Sequence, residues 1–264
     1  MRIRHALLGL LVATPAFAGK HHTPGVQEDE LKRSSEIQSS VAAGDLLPFT
    51  IGARHHRQGL LFNTYGGFDD AKRAPVMQGT LDATLVDRVT FRVTSTNAGM
   101  SDQLKFGFGA LIDVTRAEDY GVDLAIGGDY DLLGWNRMPA AVARAALGAN
   151  VGQLRLQGNA GFGLDLEGSD QYGDVRLSGL HPINDRWYAG VDSRARIDLA
   201  GNAMVDEDVP TGKLDYDVQA GPVATYTYGR IAVSATGGVS AWKLKSSDTA
   251  KVGAIGAVGV GAAF

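Results

Sequence analysis

WYAGVDSRARIDL, residues Trp187 to Leu199, sorts its side chains by parity. Trp187, Ala189, Val191, Ser193, Ala195, Ile197 and Leu199 form one set, and Tyr188, Gly190, Asp192, Arg194, Arg196 and Asp198 form the other. A period of two places successive side chains on opposite faces of a strand. One face is greasy and the other is charged. Leu104 to Ile112 repeats the pattern, with Leu104, Phe106, Phe108, Ala110 and Ile112 opposed by Lys105, Gly107, Gly109, Leu111 and then Asp113. In Ala160 to Leu166, Phe162, Leu164 and Leu166 oppose Gly161, Gly163, Asp165 and Glu167.

Working outward, the same reading predicts strands at Phe49 to Tyr65, Gln78 to Val86, Val89 to Thr96, Gln103 to Asp113, Asp119 to Gly128 and Ala140 to Ala149. It continues with Gly152 to Asp165, Gln171 to His181, Arg186 to Leu199, Leu214 to Thr227, Arg230 to Lys243 and Lys251 to Phe264. The total is about 12 strands, an even number, as in bacterial outer-membrane barrels. His55-His56-Arg57-Gln58-Gly59 interrupts the first segment, which reads either as two pieces or as one strand with a bulge. Connections alternate in length. Asp87-Arg88, Asn150-Val151, Pro182 to Asp185 and Tyr228-Gly229 are short, whereas Gly66 to Met77, Asp129 to Pro139 and Ala200 to Lys213 are longer and an acidic piece runs from Glu167 to Asp170. Short turns at one end and longer loops at the other fit an up-and-down barrel with both termini on the short-turn side.

Composition agrees with this. The 264 residues include 35 Gly, about 13% against an average of about 7%. Glycine at that level argues against a helical protein. With no Cys, the chain has no disulfide framework, thiolate site or cysteine nucleophile. The net charge of −4, without a basic cluster, argues against nucleic acid as a partner.

The N-terminus carries a different signal. Arg2 and Arg4 precede the apolar run Ala6 to Val12, and Ala16-Phe17-Ala18 matches an A-x-A cleavage site, so residues 1–18 read as a secretory signal peptide cut after Ala18. Roughly seven apolar residues cannot cross a hydrocarbon core that needs about 20, and no later run reaches that length. Residues 19–47 read as a polar periplasmic tail with one weak helix at Glu28 to Ala43, and residues 48–264 as the barrel.

The last strand ends on an aromatic residue. Val252, Ala254, Gly256, Val258, Val260, Ala262 and Phe264 share one face, opposed by Gly253, Ile255, Ala257, Gly259, Gly261 and Ala263. This strand resembles the C-terminal strand of bacterial outer-membrane β-barrel proteins, and with the signal peptide and the alternation the resemblance covers roughly Phe49 to Phe264. It implies an all-β fold, a closed antiparallel up-and-down transmembrane β-barrel in the outer membrane of a Gram-negative bacterium. It also implies that Phe264 belongs to the signal read by the barrel-assembly machinery, with outer-membrane lipid around the wall.

If the apolar face meets lipid, the opposite residues line the lumen. The set is Asp82, Arg92, Lys105, Asp113, Asp123, Arg144, Arg155, Asp165, Glu167, Asp174, Arg176, Asp192, Arg194, Arg196, Asp198, Asp215 and Asp217, ten acids against seven bases. Mixed charges in a narrow cylinder pair across strands or line a selective pore, and the acidic excess gives a weak cation preference. Near strand ends, Trp187, Trp242, Tyr188, Tyr226 and Tyr228 suit either an interfacial aromatic girdle or ordinary packing, and Trp135 falls in a long loop.

Chemistry is sparse. Enzymatic barrels use a Ser or Thr with a His. Here His5 lies in the signal, His21-His22 in the tail and His181 before a turn, while His55-His56 have no Ser beside them. Gly66-Gly67 and Gly127-Gly128 lack the helix or lysine of a phosphate loop, and Asp206-Glu207-Asp208 lacks EF-hand spacing. The expectation is no catalytic site, cofactor or metal. A structural barrel or narrow porin-like channel comes first; surface binding through the loops, an autotransporter-like secretion barrel and a soluble periplasmic all-β protein are the alternatives.

Overall fold

In the computed structural model, residues 59–86, 88–96, 105–132, 139–166, 170–200 and 214–264 are described. The expectations placed on 1–58, namely the signal peptide, the tail with its helix and the opening part of the first strand, lie outside these residues. So do Trp135, Glu167 and the acidic run 206–208.

The described residues form twelve strands. They are β1 (Gly59–Asp69), β2 (Ala74–Val86), β3 (Val89–Thr96), β4 (Lys105–Thr115), β5 (Val122–Asp131) and β6 (Ala140–Val151), followed by β7 (Leu154–Asp165), β8 (Gln171–Pro182), β9 (Trp187–Ala200), β10 (Leu214–Tyr228), β11 (Ile231–Leu244) and β12 (Lys251–Ala263). Each pairs antiparallel with its sequence neighbours, and β1 pairs with β12, so the sheet closes on itself. Closure removes both edges and gives every strand's backbone groups partners, the condition for strands to cross lipid.

Strand lengths run from 8 to 15 residues, around the roughly 9–11 that a tilted membrane-crossing strand needs. Two-residue turns join β2 to β3, β6 to β7 and β10 to β11, with the positive φ such turns require at Arg88, Gly152 and Gly229. Between β8 and β9 the Asn184 side chain accepts from the backbone N–H groups of Arg186 and Trp187, both at 2.9 Å.

Several expected boundaries move. Gly66 to Met77 is not a loop: both strands extend into it, leaving only residues 70–73 as the turn. A one-turn helix, α1 (Ala117–Tyr120), stands where the fifth strand was expected to begin. Asn150 and Val151 belong to β6, and the turn is Gly152-Gln153.

The core is inverted relative to a water-soluble sandwich. Phe62, Leu81, Phe91, Phe108, Ile126, Leu177, Val191 and Val258 point outward and are exposed, while Asp82, Arg92, Asp174, Arg176, Asp192 and Arg194 are buried. Alternation alone accounts for this, because parity assigns every second residue of a strand to the inside. An apolar band around a closed wall cannot face water across so large an area, and hydrocarbon is the solvent that suits it. The chain is a transmembrane β-barrel.

Candidate functional site

The inside of the barrel is a stack of layers. Toward the short-turn end sit small apolar contacts: Leu61 with Ala232, Leu180 with Val223 and Tyr188, and Leu111 with Ala125 and Ala146. At the long-loop end a second apolar cluster joins Ala140 and Val142 of β6, Tyr172 of β8, Leu214 of β10 and Trp242 of β11, with Ala71 of the β1–β2 turn packed against it. Charges fill the middle.

In that middle layer Arg92 of β3 holds Asp82 of β2 through two hydrogen bonds, from Nε at 2.7 Å and Nη2 at 2.9 Å. Arg144 of β6 donates its Nε to Asp129 of β5. Asp174 of β8 accepts from three arginines, Arg176 at 2.9 Å, Arg194 at 3.4 Å and Arg196 at 2.7 Å. Arg194 and Arg196 lie on β9, so the ladder of strand pairing itself brings the partners together. Forked guanidinium–carboxylate contacts fix geometry as well as charge.

Of the sequence-derived set, Asp82, Arg92, Asp113, Asp123, Asp174, Arg176, Asp192, Arg194 and Asp217 are buried on the inner face, with Arg144, Arg155, Asp165 and Arg196 half-buried. Asp198 reaches Lys245, beyond the end of β11, at 2.8 Å. Lys105 lies in β4, and its side chain is outside the description.

Asp215 does not belong with this group. A register shift between Leu214 and Tyr216 turns it toward Lys243, 3.0 Å away, while the neighbouring Trp242 is buried inside. The aromatics divide between the two expected roles: Trp242 and Tyr188 pack in the interior, whereas Trp187, Tyr226 and Tyr228 stay on the outer face. The Trp187 and Tyr226 rings lie 5.0 Å apart, and the Arg186 guanidinium stands 5.2 Å from the Tyr228 ring centre. That arrangement suits an interfacial girdle at the short-turn end.

A third group of inner residues went unread in the sequence. Asp69, at the end of β1, is fully buried and accepts from Ser240 Oγ of β11 at 2.7 Å and Gln219 Nε2 of β10 at 3.4 Å. Lys72, in the following turn, reaches Asp217 of β10 at 2.7 Å and Asp69 at 3.5 Å. Parity carries the signal for Asp69, since it continues the buried series Leu61, Asn63 and Tyr65. Asp129 and Asp131 likewise continue from Asp123 past the expected end of the fifth strand.

Among the described residues no group of three or more His, Cys, Asp or Glu has the geometry to hold a metal ion. A closed twelve-stranded antiparallel barrel with a polar inside and an apolar outside defines the fold of the outer-membrane β-barrel proteins. Solved structures agree. The NanC porin matches with a TM-score of 0.55 at 10% identity, over 76% of this chain and 98% of its own. An outer-membrane channel from Pseudomonas putida F1 matches with a TM-score of 0.50 at 10% identity, over 85% of this chain and 100% of its own. Likeness at this identity is one of fold. No protein-family model and no curated protein sequence matches the chain.

Proposed function

We propose that the chain is exported through the signal peptide at residues 1–18, is assembled into the outer membrane through the strand ending at Phe264, and acts there as a channel of restricted bore. The observation that carries this reading is the charged middle layer. A scaffold with no traffic through it could fill its inside with apolar side chains at lower cost, since burying ion pairs is seldom better than burying hydrocarbon. Instead the inner face carries Asp82–Arg92, Asp129–Arg144 and Asp174 with its three arginines. Such a layer favours the passage of small hydrophilic solutes and ions over large ones. Acids exceed bases on the inner face, which favours cations weakly.

The burial of Arg92, Arg176 and Asp192 favours a second reading, a barrel closed along its axis that serves as a structural wall or presents its loops outside. Planar-bilayer recording on the purified protein separates the two. The channel reading predicts discrete small conductance steps and, under a KCl gradient, a reversal potential of the sign set by cations. A properly folded barrel that passes no current supports the closed wall, and anion preference overturns the charge argument.

A further inference from the structure

The turn between β1 and β2 does not project from the barrel mouth. It folds inward across the inner face of β12. The backbone N–H of Asp70 donates to Ala254 O of β12 at 2.8 Å, and Trp242 Nε1 of β11 donates to Ala71 O at 3.0 Å. Lys72 then reaches Asp217 of β10, three strands from β1 around the wall. Gly253 makes room for this path: it shares parity with the buried Ile255 and Ala257, and a Cβ there would overlap the backbone of Ala71. Arg73 closes the turn at φ 53°, a conformation that side chains rarely adopt.

The seat that receives the Lys72 ammonium draws on three strands, β1, β10 and β11. Asp69 and Asp217 supply the carboxylates, and Ser240 and Gln219 hold Asp69 in place. All four are buried, and Oδ1 of Asp217 is a buried carboxylate oxygen without a hydrogen-bond partner. Two carboxylates against one ammonium leave the seat with an excess of negative charge.

We propose that the Asp69–Asp217 seat is a binding site for monovalent cations and primary ammonium groups, and that Lys72, on its inward-folded turn, is a tethered occupant that competes with them and stops the loop-side mouth. The proposal rests on the channel reading, and it assigns that channel its cation-selecting point. A lysine ammonium and a free alkylammonium present the same charge and the same N–H donors, so a site that fits one fits the other. When the turn swings out, the apolar cluster around Trp242 loses Ala71 and the path along the axis widens.

The test uses the full chain in planar bilayers under a KCl gradient, with folding of every variant checked by its heat-dependent gel migration. Lys72→Met removes the ammonium at nearly unchanged length. It should raise the potassium-over-chloride permeability ratio severalfold and make the current sensitive to block by added methylammonium chloride. Adding Asp217→Asn to that variant should abolish both effects. Gly253→Val leaves every charge in place and pushes the turn off β12, so it should raise conductance by itself. Unchanged selectivity and no methylammonium block in Lys72→Met, or unchanged conductance in Gly253→Val, overturns the proposal while the channel reading stands. Folded variants and folded parent that all pass no current overturn both.

Discussion

Arg92 and Asp82 face each other directly across the β2–β3 pair, joined by two hydrogen bonds of 2.7 and 2.9 Å with both side chains closed to solvent. The pair is a matched unit. Removing one member leaves the other buried without its charge partner.

Asp82→Leu alone should therefore cost about 3–5 kcal/mol, whereas Asp82→Leu combined with Arg92→Leu should be close to neutral. Urea titration followed by tryptophan fluorescence in detergent or liposomes reads both. Equal losses in the single and double variants would show that the pair does not act as a unit.

The three arginines around Asp174 differ in how far they depend on it. Arg196 keeps 17% of its side chain exposed, against 4% for Arg176, so it has water to turn to when its partner is altered. Asp174→Ala should destabilise the barrel more than Arg196→Ala, with Arg176→Ala between them. The temperature at which the unboiled gel band converts to the boiled one gives the order, and the reverse order would contradict the pairing described here.

The outer face makes a prediction that depends on lipid. Leu177, at the middle of β8, is 58% exposed, and Val86, at the short-turn end of β2, is 57% exposed. In water the two positions would tolerate arginine alike. In a bilayer Leu177→Arg should cost about 2–4 kcal/mol and Val86→Arg about 0–1 kcal/mol, because the penalty falls from the midplane to the interface. Folding titrations into phospholipid vesicles measure the difference, and equally small costs would place both residues outside hydrocarbon.

The count of twelve strands was legible because parity is a local property that survives any error in boundaries. The β3 limits fall where the sequence puts them. The first hairpin was read too short, with its strand ending at Tyr65 and a loop from Gly66 to Met77, because glycines break the apolar alternation there. Here Gly67 lies in β1, where a Cβ would strike the backbone of Gly256 and Ala257 on β12, so the glycine serves strand contact across the barrel seam. Asp215 was misplaced because a bulge inserts one residue and reverses parity beyond it, and nothing in the local pattern marks the insertion.

The candidate site was legible only where its partners sit on adjacent strands. Arg92 with Asp82, and Asp174 with Arg194 and Arg196, follow from hairpin register. Lys72 could not be read this way. Its partner Asp217 is 145 positions further along, and closure of β1 on β12 is what brings them together.

The most direct test of a closed barrel in the outer membrane is the gel migration of the outer-membrane fraction, unboiled and boiled. A wall whose strands all pair with neighbours resists detergent until heated. The protein should appear in that fraction and migrate faster unboiled than boiled. Identical migration, with the protein recovered from the soluble periplasm, would contradict the account.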